Sequence, residues 1–130
     1  MDKELTNIAT ATGTYNNLAT SITSDASVVA LIEGLTITKT ADQTSWVNGP
    51  LTYTITIDNQ ATETYATPVI TDIIDTTLVS FVPDSVYIDG TKAETSQYNY
   101  DEDTHTLTVT LTDIPATSNK TFTFQVKKNL

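Results

Sequence analysis

The chain has 130 residues, enough for one domain with an ordinary core and too few for two well-formed ones. Six lysines and no arginine face sixteen acids, a formal net charge of −10, which repels DNA, RNA and anionic membranes and argues against nucleic-acid binding or membrane insertion. No cysteine is present, so disulfides, thiolate metal sites and cysteine nucleophiles are absent together, and 29 threonines, β-branched and suited to the solvent face of a strand, point to an all-β protein.

At the N-terminus, "MDKELTN" reads as a start placed inside a longer protein, without the basic, apolar and small-residue layout of a signal. "LTNIATATGTY" alternates Leu5, Asn7, Ala9 and Ala11 against Ile8, Thr10 and Thr12. "TYNNLATSITS" reads as a loop and "SDASVVALIEG" as a second strand, so residues 1–34 are expected to form a β-hairpin ahead of a sandwich spanning 35–130. "GLTITKTAD" then places Leu35, Ile37 and Lys39 on one face and Thr36, Thr38 and Thr40 on the other, so that an apolar face ends in a lysine.

"LTYTITID" has a clean two-residue period, with Leu51, Tyr53, Ile55 and Ile57 inward, between "Asn48-Gly49-Pro50" and "Asp58-Asn59-Gln60". "TPVITDII" is apolar on both faces and reads as a central strand. "LVSFV" and "SVYID" follow, parted by Pro83-Asp84 and ended by Asp89-Gly90. "SQYNYDEDTHTLTVTLTD" reads as a hairpin with Tyr98 and Tyr100 on one arm, Leu107, Val109 and Leu111 on the other, and Asp101, Glu102 and Asp103 at the tip. "TFTFQVKKN" is the last strand, with Phe122, Phe124 and Val126 inward. The pattern predicts an immunoglobulin-like Greek-key β-sandwich of about seven to nine strands.

Few residues suggest chemistry. His105 is the single histidine and reads as a solvated residue of the hairpin arm, not a metal ligand. The acids at 101–103 lack the layout of a calcium loop and read as a charged turn. Asp72 and Asp75 could suggest paired carboxylates for glycoside hydrolysis, but closeness in sequence says nothing of separation in space. Asn119-Lys120-Thr121 fits a glycosylation sequon. Trp46 is read as capping one end of the sandwich, with sugar stacking as the alternative. No enzyme, cofactor or metal is expected.

From Leu35 onward, "LTITKTAD…NGPLTYTITIDNQ…TPVITDIID…LVSFVPDSV…TFTFQVKKN" resembles the threonine-rich repeats catalogued as domain of unknown function eleven, related to the isopeptide-forming domains of Gram-positive surface and pilin proteins. The family's "TDTLP" stands here as "TDIID", Thr71 to Asp75. "TNIATATG" and "SDASVVAL" resemble the two strands that would close a preceding repeat. The resemblance implies that this hairpin completes the sandwich, in cis in a monomer or in trans in a strand-exchanged dimer, with "TNIATATG" parallel to "LTITKT" in the cis route.

The resemblance also implies a cross-link. Lys39 matches the family's strand lysine, Asp72 its assisting acid and Asn7 its asparagine, with Asn129 second because its parity is opposite to that of Phe122 and Phe124. The implied function is a rigid stalk or adhesion module of a cell-surface protein, extracellular and anchored to the cell wall through its parent, with neighbouring repeats as partners. The rival expectation is a module that binds a glycan or a host protein through its loops.

Overall fold

The computed structural model describes residues 8–15, 18–24, 34–42 and 49–129. Among them are eleven strands and no helix: β1 (Ala9–Tyr15), β2 (Leu18–Thr23), β3 (Leu35–Ala41), β4 (Leu51–Asn59), β5 (Tyr65–Ile73), β6 (Val79–Phe81), β7 (Tyr87–Ile88), β8 (Thr91–Lys92), β9 (Tyr98–Asp101), β10 (Thr106–Thr110) and β11 (Ser118–Lys128). They form two antiparallel sheets, ordered β2-β1-β5-β10-β9 and β3-β4-β11-β7-β8, with β6 also paired to β11. The chain changes sheet between β2 and β3, β4 and β5, β5 and β6, β8 and β9, and β10 and β11, which gives the Greek-key sandwich its path. No helix among the described residues is long and apolar enough to cross a membrane.

Alternation sets which residues meet in the middle. Along β4 every second side chain is buried, from Leu51 through Tyr53, Ile55 and Ile57 to Asn59. On β11 Phe122, Phe124 and Val126 face the same way, and across the gap β5 and β10 contribute Ile70, Leu107 and Val109, none more than 1 % exposed. Thr52, Thr54 and Thr56 face outward, where a branched side chain suits a half-solvated pleat. β5 lies centrally in its sheet, as its sequence predicts, yet its second apolar face is not covered: Ile73 is 67 % exposed.

β5 also carries an irregularity that corrects its phase. Thr12 pairs with Val69 and Thr14 with Ala66, so β5 holds one extra residue there. Thr67 takes up the bulge with φ 52°, a conformation that a β-branched residue adopts only under constraint, and its N–H donates to Asp113 Oδ1 at 2.9 Å. Opposite the bulge stands Gly13, where a Cβ would lie 2.7 Å from Ala66 O and 2.9 Å from the ring of fully buried Tyr65. The Asp89-Gly90 turn behaves as its sequence suggests: both residues have positive φ and join Ile88 to Thr91 in a two-residue hairpin.

The N-terminal region differs from the sequence reading. The stretch expected to be a loop contains β2, which pairs with β1 from Thr10–Thr23 to Tyr15–Leu18. Most of the expected second strand, residues 25–33, lies outside the described residues, as do Asn7, Trp46 and Asn48. β1 completes a sheet of its own chain by pairing with β5, but it is not parallel to β3. It runs from the level of Asp72 to that of Tyr65, whereas β3 starts level with Asn59 near Tyr65 and runs the other way. β1 pairs antiparallel with both β2 and β5, and β2 runs in the direction of β3.

Candidate functional site

Lys39 is delivered by the inward phase of β3, after Leu35 and Ile37 and level with Ile55 of β4. Asp72 is delivered by the inward phase of β5, between Ile70 and Ile74, with Ala9 of β1 on one side and Leu107 of β10 on the other. The lysine therefore comes from one sheet and the acid from the other. Lys39 Nζ donates to Asp72 Oδ2 across the sandwich, with side-chain exposures of 5 % and 1 %. That contact is why the apolar face of β3 ends in a lysine.

The surroundings of the pair are aromatic. Lys39 Nζ lies 4.4 Å from the Tyr53 ring centroid and 5.4 Å from that of Phe124, and the two rings are themselves 5.4 Å apart. Ring faces favour the ammonium, and so does Asp72, yet loss of water weighs more. Burial brings the Lys39 pKa down from 10.5 to about 8, with the charge and hydrogen bond of Asp72 opposing the shift. The amine thus loses its proton far more readily than a surface lysine, beside a carboxylate placed to receive it.

The structure places the other residues of the expected cross-link differently. Asn7 lies outside the described residues. Asn129 does not meet Lys39. The register position level with Lys39, through Ile55, is Phe122, and Asn129 lies seven residues further along the chain, about 23 Å at the rise of a strand. Its amide is used at the start of β6, donating to Thr76 O at 2.7 Å and Val79 O at 3.3 Å and accepting from the Ser80 hydroxyl. Asp75 does not join Asp72 in a carboxylate pair either. It organises the next turn, accepting from Thr77 N through its side chain and from Leu78 N and Val79 N through its carbonyl.

A buried polar residue that the sequence reading took as part of a turn is Asn59. Its Nδ2 donates to Glu63 O at 2.8 Å, Ile114 O at 2.9 Å and Pro115 O at 3.3 Å, and its Oδ1 accepts from Ala61 N at 3.1 Å. The same period that puts Ile55 and Ile57 inside marks it as inward.

A second feature lies at the open edge between the sheets. Phe81 of β6 and Tyr100 of β9 stack with centroids 4.7 Å apart, and with Pro83 and Tyr98 they line an open groove of about 590 Å³ rimmed by Glu102 and Asp103. The Tyr98 hydroxyl donates to Asp84 Oδ1 at 3.3 Å. Burial, then the Asp84 charge, holds Tyr98 above the usual tyrosine pKa, and burial followed by Glu102 does the same for Tyr100. Asp101 caps its own turn, accepting from Asp103 N and Thr104 N. His105 sits in that turn, not in the strand arm, with φ 57° and its carbonyl accepting from Ile74 N. Among the described residues, no group of three or more His, Cys, Asp or Glu side chains is arranged to hold a metal ion.

Comparison of the chain with models of protein families, with curated proteins and with solved structures gave no match.

Proposed function

We propose that the chain is a structural module of a bacterial cell-surface protein, a stiff acidic spacer that stands among neighbouring repeats and holds a binding region away from the cell wall. The observation that carries this reading is the Lys39–Asp72 pair, buried among aromatic rings and joining β3 of one sheet to β5 of the other. The pair brings a lysine of one sheet against an acid of the other, where an amide formed at Lys39 would turn the contact into a covalent tie.

The reading includes an intramolecular amide cross-link at Lys39. With a pKa of about 8, roughly a tenth of the Lys39 amine is neutral at pH 7. Passing the ammonium proton to Asp72 generates the nucleophile and the acid in one step. Lys39 Nζ then attacks the carboxamide carbon of an asparagine while Asp72 donates to its carbonyl oxygen. The new N–C bond forms, a proton passes from the lysine nitrogen to the departing amide nitrogen by way of Asp72, the old C–NH₂ bond breaks, ammonia leaves, and the proton lent to the carbonyl oxygen returns to Asp72. Asn7 is the partner in this reading, because it stands two positions before Ala9, whose register partner is Asp72.

The test is the intact mass of the denatured chain. A mass short by one ammonia, with no deficit in Lys39→Ala beyond the substitution itself, is the expected result, and peptide mapping should place the link at Asn7. A full mass overturns the cross-link and leaves the module relying on packing alone.

A further inference from the structure

β9 is an edge strand: among the described residues it pairs with β10 alone. The hydrogen bond from Thr110 N to Gln97 O sets the phase of this antiparallel ladder. Gln97 accepts from Thr110 N while its own N–H donates to Glu94 O, and in the same phase residues 99 and 101 face β10 with their main-chain groups, so the N–H and C=O groups of Tyr98 and Tyr100 point to the open side. The side chains of the same two residues line the groove beside Phe81 and Pro83. The Tyr100 ring is held by its stacking on Phe81, and Tyr98 by its bond to Asp84, so neither has to be ordered on binding. Free main-chain groups, fixed ring faces and the exposed carboxylates of Glu102 and Asp103 therefore converge on one stretch of edge.

We propose that this groove docks an extended peptide segment carrying lysine or arginine, which pairs with β9 as an added strand and lays a cationic side chain against Tyr98 and Tyr100 below Glu102 and Asp103. Strand addition supplies affinity through the main chain and leaves specificity to the pockets that receive alternate side chains. Here the pocket is aromatic and its rim anionic, the combination that attracts an ammonium or guanidinium group. The chain's net charge of −10 steers a cationic segment toward it and an anionic one away. The proposal goes beyond the spacer reading and stands whether or not the cross-link forms.

The experiment titrates a capped hexapeptide, Thr-Lys-Val-Lys-Val-Thr, into the ¹⁵N-labelled full chain, and follows amide shifts. Two control peptides are used, one with glutamate for lysine and one N-methylated at alternate residues. Shifts should concentrate on residues 98–103 and 81–84, and the lysine peptide should bind at least about tenfold more tightly than the glutamate peptide. N-methylation should abolish binding, and added salt should weaken it. The double variant Glu102→Gln/Asp103→Asn should bind about fivefold more weakly with an unchanged melting midpoint, since both side chains are exposed and Asp101 keeps the turn. Equal affinity for the lysine and glutamate peptides overturns the proposal, as do shifts elsewhere on the molecule. Undiminished binding after N-methylation, or a free polyamine binding as tightly as the lysine peptide, overturns the strand addition on which it depends.

Discussion

Among the described residues, two lysine–aspartate pairs stand in opposite settings. Lys39–Asp72 joins the two sheets, is 5 % and 1 % exposed, and sits against two aromatic rings. Lys120–Asp89 lies on the surface at 3.2 Å, with exposures of 28 % and 46 %, between β11 and the turn of its neighbouring hairpin β7–β8. The chemistry is the same, so solvent accounts for the difference. In water, attraction between the surface charges is screened and offset by the entropy of holding two long side chains. Inside the sandwich the attraction is strong, but each charge has lost its hydration, and the net contribution of the pair to stability is small or negative even though neither partner can be removed alone.

The largest effect expected from this contrast is on single substitutions at the buried pair. Lys39→Met or Asp72→Leu should each lower unfolding free energy by about 3–5 kcal/mol in chemical denaturation, because each leaves an uncompensated charge inside. The double variant should recover most of the loss. If the Lys39 cross-link forms, the double variant loses it as well and stays roughly 3–4 kcal/mol below the parent, by analogy with a disulfide closing a loop of similar length. The double variant thus separates an ion pair from a covalent tie by a second route, independent of mass. Full additivity of the two single losses would show that the residues do not act as a pair.

A smaller effect concerns pH in the chain without the cross-link. The folded state lowers Lys39 from 10.5 to about 8. Between those values the unfolded chain binds the proton and the folded chain has released it, so stability rises with pH across the window. The difference in unfolding free energy between the parent and Lys39→Met/Asp72→Leu should therefore change little from neutral pH to about 8 and increase toward 10.5. No increase over that range, with a decrease setting in only above 10.5, would mean that attraction to Asp72 outweighs desolvation.

Why the buried pair was only half legible in the sequence follows from what alternation encodes. A two-residue period assigns each residue to a face, and it assigned Lys39 the phase of Leu35 and Ile37, and Asp72 that of Ile70 and Ile74, as the structure has them. It does not say which residue of the other sheet will be opposite, and the two stand 33 positions apart. The same period marks Asn59, but Asp58 and Gln60 beside it made the stretch look like a turn. β2 was missed because "LATSIT" carries a weak apolar pattern, with Ile22 buried while Ala19 and Ser21 are exposed. The edge groove was illegible for another reason: its tyrosines come from one hairpin and Phe81 and Pro83 from an earlier segment, so only the sheet arrangement brings them together.

The smallest effect belongs to the surface pair, and it decides whether burial is what separates the two. Asp89 is held by more than Lys120. Its N–H donates to Thr121 O at 2.8 Å, its Oδ1 accepts from Thr121 N at 3.1 Å, and with Gly90 it supplies the two positive φ angles of the turn. Lys120→Met removes the ammonium and none of these. The expected loss is at most about 0.5 kcal/mol in low salt and nothing measurable at 1 M, where charges a few ångströms apart at the surface no longer interact appreciably. A loss approaching that of Lys39→Met would mean that position in the sheet, not removal from water, sets the worth of a lysine–aspartate contact in this fold. A loss that vanishes with salt leaves burial as the difference, because the buried pair lies where mobile ions do not reach.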